Sequence, residues 1–175
     1  VCSSDLYGDL LIETNKVMNL TAITDPEDVA TLHFLDSAAL LTLESFSGKS
    51  VVDVGTGAGF PGLPLRVLEP SIRLTLLDSL NKRIQFLETV CRELDLPDVA
   101  CVHARAEEFA AEHRETFDLA VSRAVAALPV LCELCLPLVK PGGKFLAMKS
   151  VESDAELAAA QHAIAILGGA VEAVR

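Results

Sequence analysis

The chain has 175 residues, enough for one domain with a sizeable core and short for two. Its hydrophobic fraction of 51% excludes a disordered chain, and its net charge of −11 excludes a protein that holds nucleic acid through non-specific phosphate contacts. A local basic patch remains compatible with RNA as a substrate. No apolar run reaches the length of a membrane span and no basic-then-apolar leader opens the chain, so a cytoplasmic protein without membrane contact is expected. Val1 stands where an initiator Met would, and Arg175 falls inside a strand-like run, so a fragment at both ends is expected.

The first segment reads as helical: Leu6 to Lys16, Asp25 to Thr31 and Leu35 to Leu43, with Pro26 at the first position of a helix that Asp25 opens. Residues 1–48 are expected to form a helical cap on the domain, and residues 49–175 its core. His33 either sits near a site or caps a helix; Asn19 is a weaker candidate still.

The core opens with Ser50-Val51-Val52, followed by Asp53-Val54-Gly55-Thr56-Gly57-Ala58-Gly59-Phe60-Pro61-Gly62 and then an apolar helix, Leu63 to Leu68. Strand, glycine turn and helix make a nucleotide-type ligand site at the carboxyl end of a parallel strand. Two frames overlap here. Gly57-x-Gly59-x-x-Gly62 fits a dinucleotide site, while Asp53-x-Gly55-x-Gly57-x-Gly59 fits S-adenosylmethionine-dependent methyltransferases. A pyrophosphate wants free N–H groups at the helix start, yet Pro61 and Pro64 remove two donors there. Asp53 would repel a pyrophosphate but could receive a methionine ammonium, through water or a backbone amide. The second frame is therefore favoured over a dinucleotide or a plain turn.

Next come a strand Arg73 to Asp78 and a helix that Asn81 can cap, with Ile84, Phe86, Leu87, Val90, Cys91 and Leu94 as its apolar stripe. Asp78 ends its strand at the rim of the site, where an acid can accept hydrogen bonds from both ribose hydroxyls of an adenosine, or can act as a helix cap. A third strand, Val99 to His103, leads through Ala104-Arg105 to a helix Ala106 to Glu112. A backbone amide at Ala106 or Glu107 could read an adenine edge; alternatively Glu107 and Glu108 are first-turn carboxylates favoured by the helix dipole.

The fourth strand, Phe117 to Ser122, runs into Arg123. No Asn/Asp-Pro-Pro-aromatic tetrapeptide follows it to grip an exocyclic amine, and no Pro-Cys pair to attack a pyrimidine. An arginine there suits guanine, whose O6 and N7 accept hydrogen bonds, or a phosphate; the bland reading is a surface ion pair. A helix over Leu128 to Leu136 ends before Pro141-Gly142-Gly143, and Lys144 to Met148 is a fifth strand, with Lys149 at its end able to meet RNA phosphate. Ser153-Asp154 caps an Ala-rich helix to Leu167, Gly168-Gly169 stops it, and Ala170 to Val174 reads as another strand. The alternation predicts a doubly wound, mostly parallel α/β sheet; joined to the glycine frame favoured above, the expected fold is a Rossmann-like class I methyltransferase sheet with an N-terminal helical cap.

Five cysteines, odd in number and scattered through apolar segments, suit buried thiols in a reducing compartment. Cys132-x-x-Cys135 lies in an apolar helical run with no second pair, so it reads as core and no metal site is expected. The helical carboxylates, such as Glu88, Glu107 and Glu156, read as solvated outer faces.

These pieces together resemble one family, the bacterial ribosomal RNA small-subunit methyltransferase G, also called GidB. The resemblance is carried by Asn19 to Ile23, His33-Phe34-Leu35-Asp36-Ser37, Asp53 to Pro64, Leu76 to Arg83, Arg105 to Glu108, Ser122-Arg123-Ala124-Val125-Ala126 and Lys140 to Gly143. It implies methylation of N7 of a guanine in small-subunit ribosomal RNA, free or in the small ribosomal subunit, with S-adenosylmethionine as donor. It also implies donor contacts from Gly55 and Phe60, then Ala106 and Glu107, then Arg123. A monomer is expected. The alternatives are a methyltransferase of the same fold acting on a small molecule or protein, a non-catalytic donor-binding or ribosome-binding fragment, and, further off, an NAD-dependent enzyme.

Overall fold

A computed structural model describes residues 3–23, 25–123, 125–149 and 154–175. Five strands form one sheet in the order β3-β2-β1-β4-β5: β1 (Ser50–Val54), β2 (Arg73–Asp78), β3 (Ala100–His103), β4 (Phe117–Arg123) and β5 (Val139–Met148). All four neighbouring pairs are parallel. Strand order reverses between β1 and β4, and the crevice outside that switch point is where open α/β sheets bind ligands.

Alternation along β1 sets the two faces. Val51 points to one side with Leu74, Leu76 and Val121, under α4 (Gly62–Leu68) and α5 (Asn81–Glu93). Val52 and Val54 point to the other with Leu77 and Ala120, under α6 (Ala106–Glu112) and α7 (Leu128–Cys135). Helix α8 (Asp154–Ile166) packs on α7 through Ala160, Ile164, Leu128 and Cys132. The CxxC thiols accordingly face the interior, and burial raises the pKa of both.

The N-terminal helices share the first of these cores. Helix α1 (Ser3–Met18) buries Tyr7 and Leu11 in the same cluster as Val51 and Leu87. Asn19 ends that helix with a left-handed φ of 48°, a helix-stop role. Asp25 caps α2 (Pro26–Asp28) as its sequence implies, its carboxylate accepting from Glu27 N and Asp28 N. Where the sequence reads two separate helices, the chain stays helical from α2 through a π-helical turn, Val29–Leu35, into α3 (Asp36–Leu43).

Three expectations change. Asn81 does not cap α5: Leu80 is the capping position, and Asp78 Oδ1 accepts from Leu80 N at 2.9 Å to start the helix. Residues 170–174 pair with no described strand. β5 begins five residues early because residues 140–143 bulge opposite Asp118, between the pairs Phe117–Val139 and Leu119–Lys144. A Cβ on Gly143 would lie 2.5 Å from the Asp118 carbonyl, so only glycine fits the bulge. The predicted cap Ser153 lies outside the described residues.

Candidate functional site

The turn after β1 is held from below by Asp53. This carboxylate is 0% exposed, and its Oδ2 accepts from Thr56 Oγ1 and Gly62 N, both at 2.8 Å. Its Oδ1 is buried with no partner among the described residues. Burial raises its pKa to about 6 against those two hydrogen bonds.

Gly59 and Gly62 are packing glycines. A Cβ on Gly59 would run into the Tyr7 hydroxyl, and one on Gly62 into Asp53 Oδ2 and Leu76, each at 2.8 Å. Gly55 and Gly57 are the half-exposed members of the turn, with φ of 68° and 60°, and a Cβ on Gly57 would meet only the Gly55 carbonyl oxygen, at 4.0 Å. Val125 lies over Gly55, 2.5 Å from where a Cβ would stand.

The start of α4 tests the two glycine frames directly. Gly62 N is bound to Asp53, Leu63 N to the Gly59 carbonyl at 2.8 Å and Leu65 N to the Pro61 carbonyl at 3.3 Å; Pro64 has none. No amide of this first turn is left for a pyrophosphate, so the helix end lacks the donors that a dinucleotide site requires. A partnerless buried acceptor beneath a glycine cradle fits a cationic amino-acid group instead.

Asp78 gathers the next three segments. It is 3% exposed, its Oδ2 accepts from Gly57 N at 2.9 Å and lies 3.4 Å from Arg83 Nη1. Its carbonyl accepts from Ala104 N at 3.2 Å, bringing the chain after β3 to the turn. Ala106 is half-buried at the first position of α6, where no side chain caps the amides, and Glu107 is exposed. Ala106, Asp78, Gly55 and Arg123 thus follow one another along the carboxyl edge of β3, β2, β1 and β4, three strand spacings or about 14 Å in all. That row has the length of an elongated ligand.

At the β4 end, Arg123 takes part in no ion pair among the described residues, so the surface-salt-bridge reading does not hold. Its Nη1 donates to the Leu32 carbonyl at 3.0 Å, and Nη2 donates to His33 Nδ1 at 2.8 Å. Because a guanidinium only donates, His33 Nδ1 accepts and the proton sits on Nε2, which donates to Thr21 Oγ1 at 2.9 Å. Burial and the Arg123 charge lower the His33 pKa to about 4, so the ring is neutral. Thr21 is itself fixed through its backbone N–H and carbonyl by the Asn15 side chain, each contact 2.9 Å.

Phe60 is 4% exposed and stacks with Tyr7 (5.2 Å) and His33 (4.6 Å), while Phe34 meets it edge-on; the Arg123 guanidinium lies 5.2 Å from its ring centre. Its ring therefore builds the wall rather than projecting into the crevice. Lys149 bonds the Ala126 carbonyl at 2.9 Å and Glu156 at 2.8 Å, and Glu156 also accepts from Leu128 N. These contacts tie the segment after β4 to α8. Of the two readings open for His33, the structure places it beside Arg123; Thr21, which the sequence singles out only as part of the Asn19 to Ile23 segment, joins it there through its hydroxyl.

An all-parallel sheet of this order, with a glycine turn after its first strand and a following helix whose first-turn amides are all engaged, is the architecture of a Rossmann-like methyltransferase. Solved structures of that class share the fold: a precorrin-6y C5,15-methyltransferase from Geobacter metallireducens matches with a TM-score of 0.60 and 17% identity, over 83% of this chain and 73% of that one. TrmN from Thermus thermophilus matches with a TM-score of 0.56 and 24% identity, over 71% and 40%. The chain belongs to the GidB family, rRNA small subunit methyltransferase G, whose family model matches residues 3–175. Relatives bearing the name ribosomal RNA small subunit methyltransferase G include one from Desulfitobacterium hafniense, 50% identical over 97% of this chain and 71% of that protein. Another, from Alkaliphilus metalliredigens, is 53% identical over 94% and 70%. No helix among the described residues is long and apolar enough to cross a membrane.

Proposed function

We propose that this chain methylates N7 of a guanine in small-subunit ribosomal RNA, with S-adenosylmethionine as donor. The observation that carries the guanine reading is Arg123, a guanidinium at the carboxyl end of β4 held by neutral partners beside the glycine turn. The family supports the RNA substrate.

S-adenosylmethionine, when bound, supplies a methyl group on a cationic sulfur. Gly55 and Gly57 would cradle its amino-acid portion, with Asp53 beneath them contributing negative potential. Asp78 would accept from the ribose hydroxyls, and the backbone at Ala106 and Glu107 would meet the adenine. Phe60 acts from behind, as the surface on which His33 and Arg123 are stacked. Guanine N7 offers an in-plane lone pair, so no residue has to remove a proton before attack. What the chain must do is exclude water and hold the base in line with the methyl group. Arg123 directs two N–H bonds at Leu32 and His33 and keeps others for guanine O6. Exposed Leu32 and Val125 flank it as an apolar rim for a base. Lys149 reaches an RNA phosphate only by giving up Glu156. The helices of residues 1–48 belong, in this reading, to the same domain as the core of residues 49–175.

The test is incubation with labelled S-adenosylmethionine and small ribosomal subunits from cells that lack the modification, followed by nuclease digestion and mass spectrometry. The expected product is 7-methylguanosine at one position. Label in another base, in protein or in a metabolite overturns the reading, as does donor binding with no transfer. Arg123→Ala is expected to keep donor affinity and lose most of the transfer; normal transfer would remove Arg123 from its role.

A further inference from the structure

Away from the donor crevice, Cys91 near the end of α5 and Cys101 in the edge strand β3 bring their sulfurs to 4.0 Å. Both thiols line a cavity of ≈ 350 Å³, together with Glu88, Asp95, Leu96 and Pro97. The methyl-transfer site uses neither of them. Cys91 is 6% exposed and Cys101 is half-buried, so the cavity gives solvent its route to the pair.

We propose that Cys91 and Cys101 are a redox-active dithiol, a modification site that a small peroxide converts to an intramolecular disulfide. Cys101 is the attacking sulfur, being the more exposed of the two. An S–H from Cys91 favours its thiolate, whereas the same contact and burial push the Cys91 thiol up. The Cys101 thiolate attacks one peroxide oxygen, the O–O bond breaks, hydroxide leaves, and Cys101 becomes a sulfenic acid. Cys91 Sγ then attacks Cys101 Sγ: the S–S bond forms, the S–O bond breaks, and the hydroxyl leaves as water with the Cys91 proton. Two thiols lose two electrons and one hydrogen peroxide becomes two waters.

Geometry favours closure over further oxidation. The sulfurs need to approach from 4.0 Å to about 2 Å, within the reach of side-chain rotation. β3 is an edge strand with a neighbour on only one side, so it is the partner freer to follow, while Leu94, Leu96 and Val99 hold the joining segment on the core. The cross-link would tie α5 to the strand that leads to Ala106.

The protein is treated with one equivalent of hydrogen peroxide, remaining thiols are alkylated, and the digest is mapped by mass spectrometry. The expected result is a Cys91–Cys101 linked peptide, two fewer alkylated thiols, reversal by dithiothreitol and a raised Tm of the oxidised form. Cys91→Ser, which removes the resolving sulfur, is expected to leave a dimedone-trappable sulfenic acid at Cys101. The proposal is overturned if both thiols stay alkylatable, if Cys101 runs on to sulfinic acid in the unsubstituted protein, or if either sulfur pairs with Cys132, Cys135 or a second chain. The unsubstituted protein decides the matter even if Cys91→Ser folds poorly.

Discussion

His33 and Arg123 lie ninety residues apart in sequence and 2.8 Å apart in space, the imidazole accepting from the guanidinium. The direction of that bond matters, since it requires His33 to be neutral and its other nitrogen to be protonated. Through Thr21 and Asn15 the arginine at the end of β4 is oriented by the N-terminal helices. The N-terminal helices therefore reach the candidate site as well as the core.

Acid should break this relationship. The His33 pKa falls from 6.5 in the unfolded chain to about 4 in the fold, so the folded state binds fewer protons between those values. Stability from this group is complete above pH 6.5 and is lost as pH falls towards 4. Asp53 works in the opposite sense, since its raised pKa of about 6 makes its contribution fade as pH rises from 3.8 to 6. Comparing urea stability of the unsubstituted protein with His33→Phe between pH 4 and 7 isolates the histidine: the stability difference is expected to shrink on acidification. A difference independent of pH would contradict the neutral-imidazole arrangement.

Gly57 and Gly59, two residues apart, should respond differently to substitution. Gly59→Ala places a methyl against Tyr7, Leu63 and Leu87 at φ 101°, and is expected to cost about 3 kcal/mol or more. Gly57→Ala at φ 60° meets only the Gly55 carbonyl oxygen at 4.0 Å, so it should cost only about 1–2 kcal/mol while lowering donor affinity roughly tenfold. Denaturant curves and calorimetric titration with S-adenosylmethionine separate the two effects.

Tyr7→Phe keeps the ring stacked on Phe60 but removes the hydroxyl that donates to the buried Ala58 carbonyl. The lost bond and stranded acceptor predict a destabilisation of about 1–3 kcal/mol. A lower urea midpoint with an unchanged m-value is the expected signature.

Asp78→Asn retains shape and removes charge. Its single amide oxygen cannot accept from both Gly57 N and Leu80 N, and its NH2 group faces the donor left over. A cost of about 1–3 kcal/mol and a clear loss of donor affinity are expected. Unchanged affinity by calorimetry would take Asp78 out of the donor site.

The strand that ends at Asp78 and the helix from Ala106 to Glu112 were legible to the residue, because apolar runs with polar ends mark where a buried element stops. Asp25 was equally plain: an acid before a proline satisfies local amides, and the effect needs no distant partner. Arg123 could be singled out because a buried-type strand runs into it. His33 could not be linked to it, since nothing within ninety residues encodes that contact. Asn81 misleads because the capping carboxylate comes from Asp78, three residues back, which accepts from Leu80 N. For Phe60, no local pattern tells a ring that lines a crevice from one packed behind it, and the ring packs against Tyr7, Phe34 and His33.

The fully engaged amides at the start of α4 have a consequence for choice among ligands. Adenosine is shared by many small molecules, and an acid beside a ribose does not distinguish them. What separates them is the group carried beyond the sugar. A turn whose N–H groups are already bonded to Asp53, Gly59 and Pro61 offers nothing to a phosphate chain, and the carboxylate behind it opposes one. In the proposed donor site, ATP and NAD would therefore be disfavoured by the withholding of donors at this helix start, before any contact specific to methionine is made.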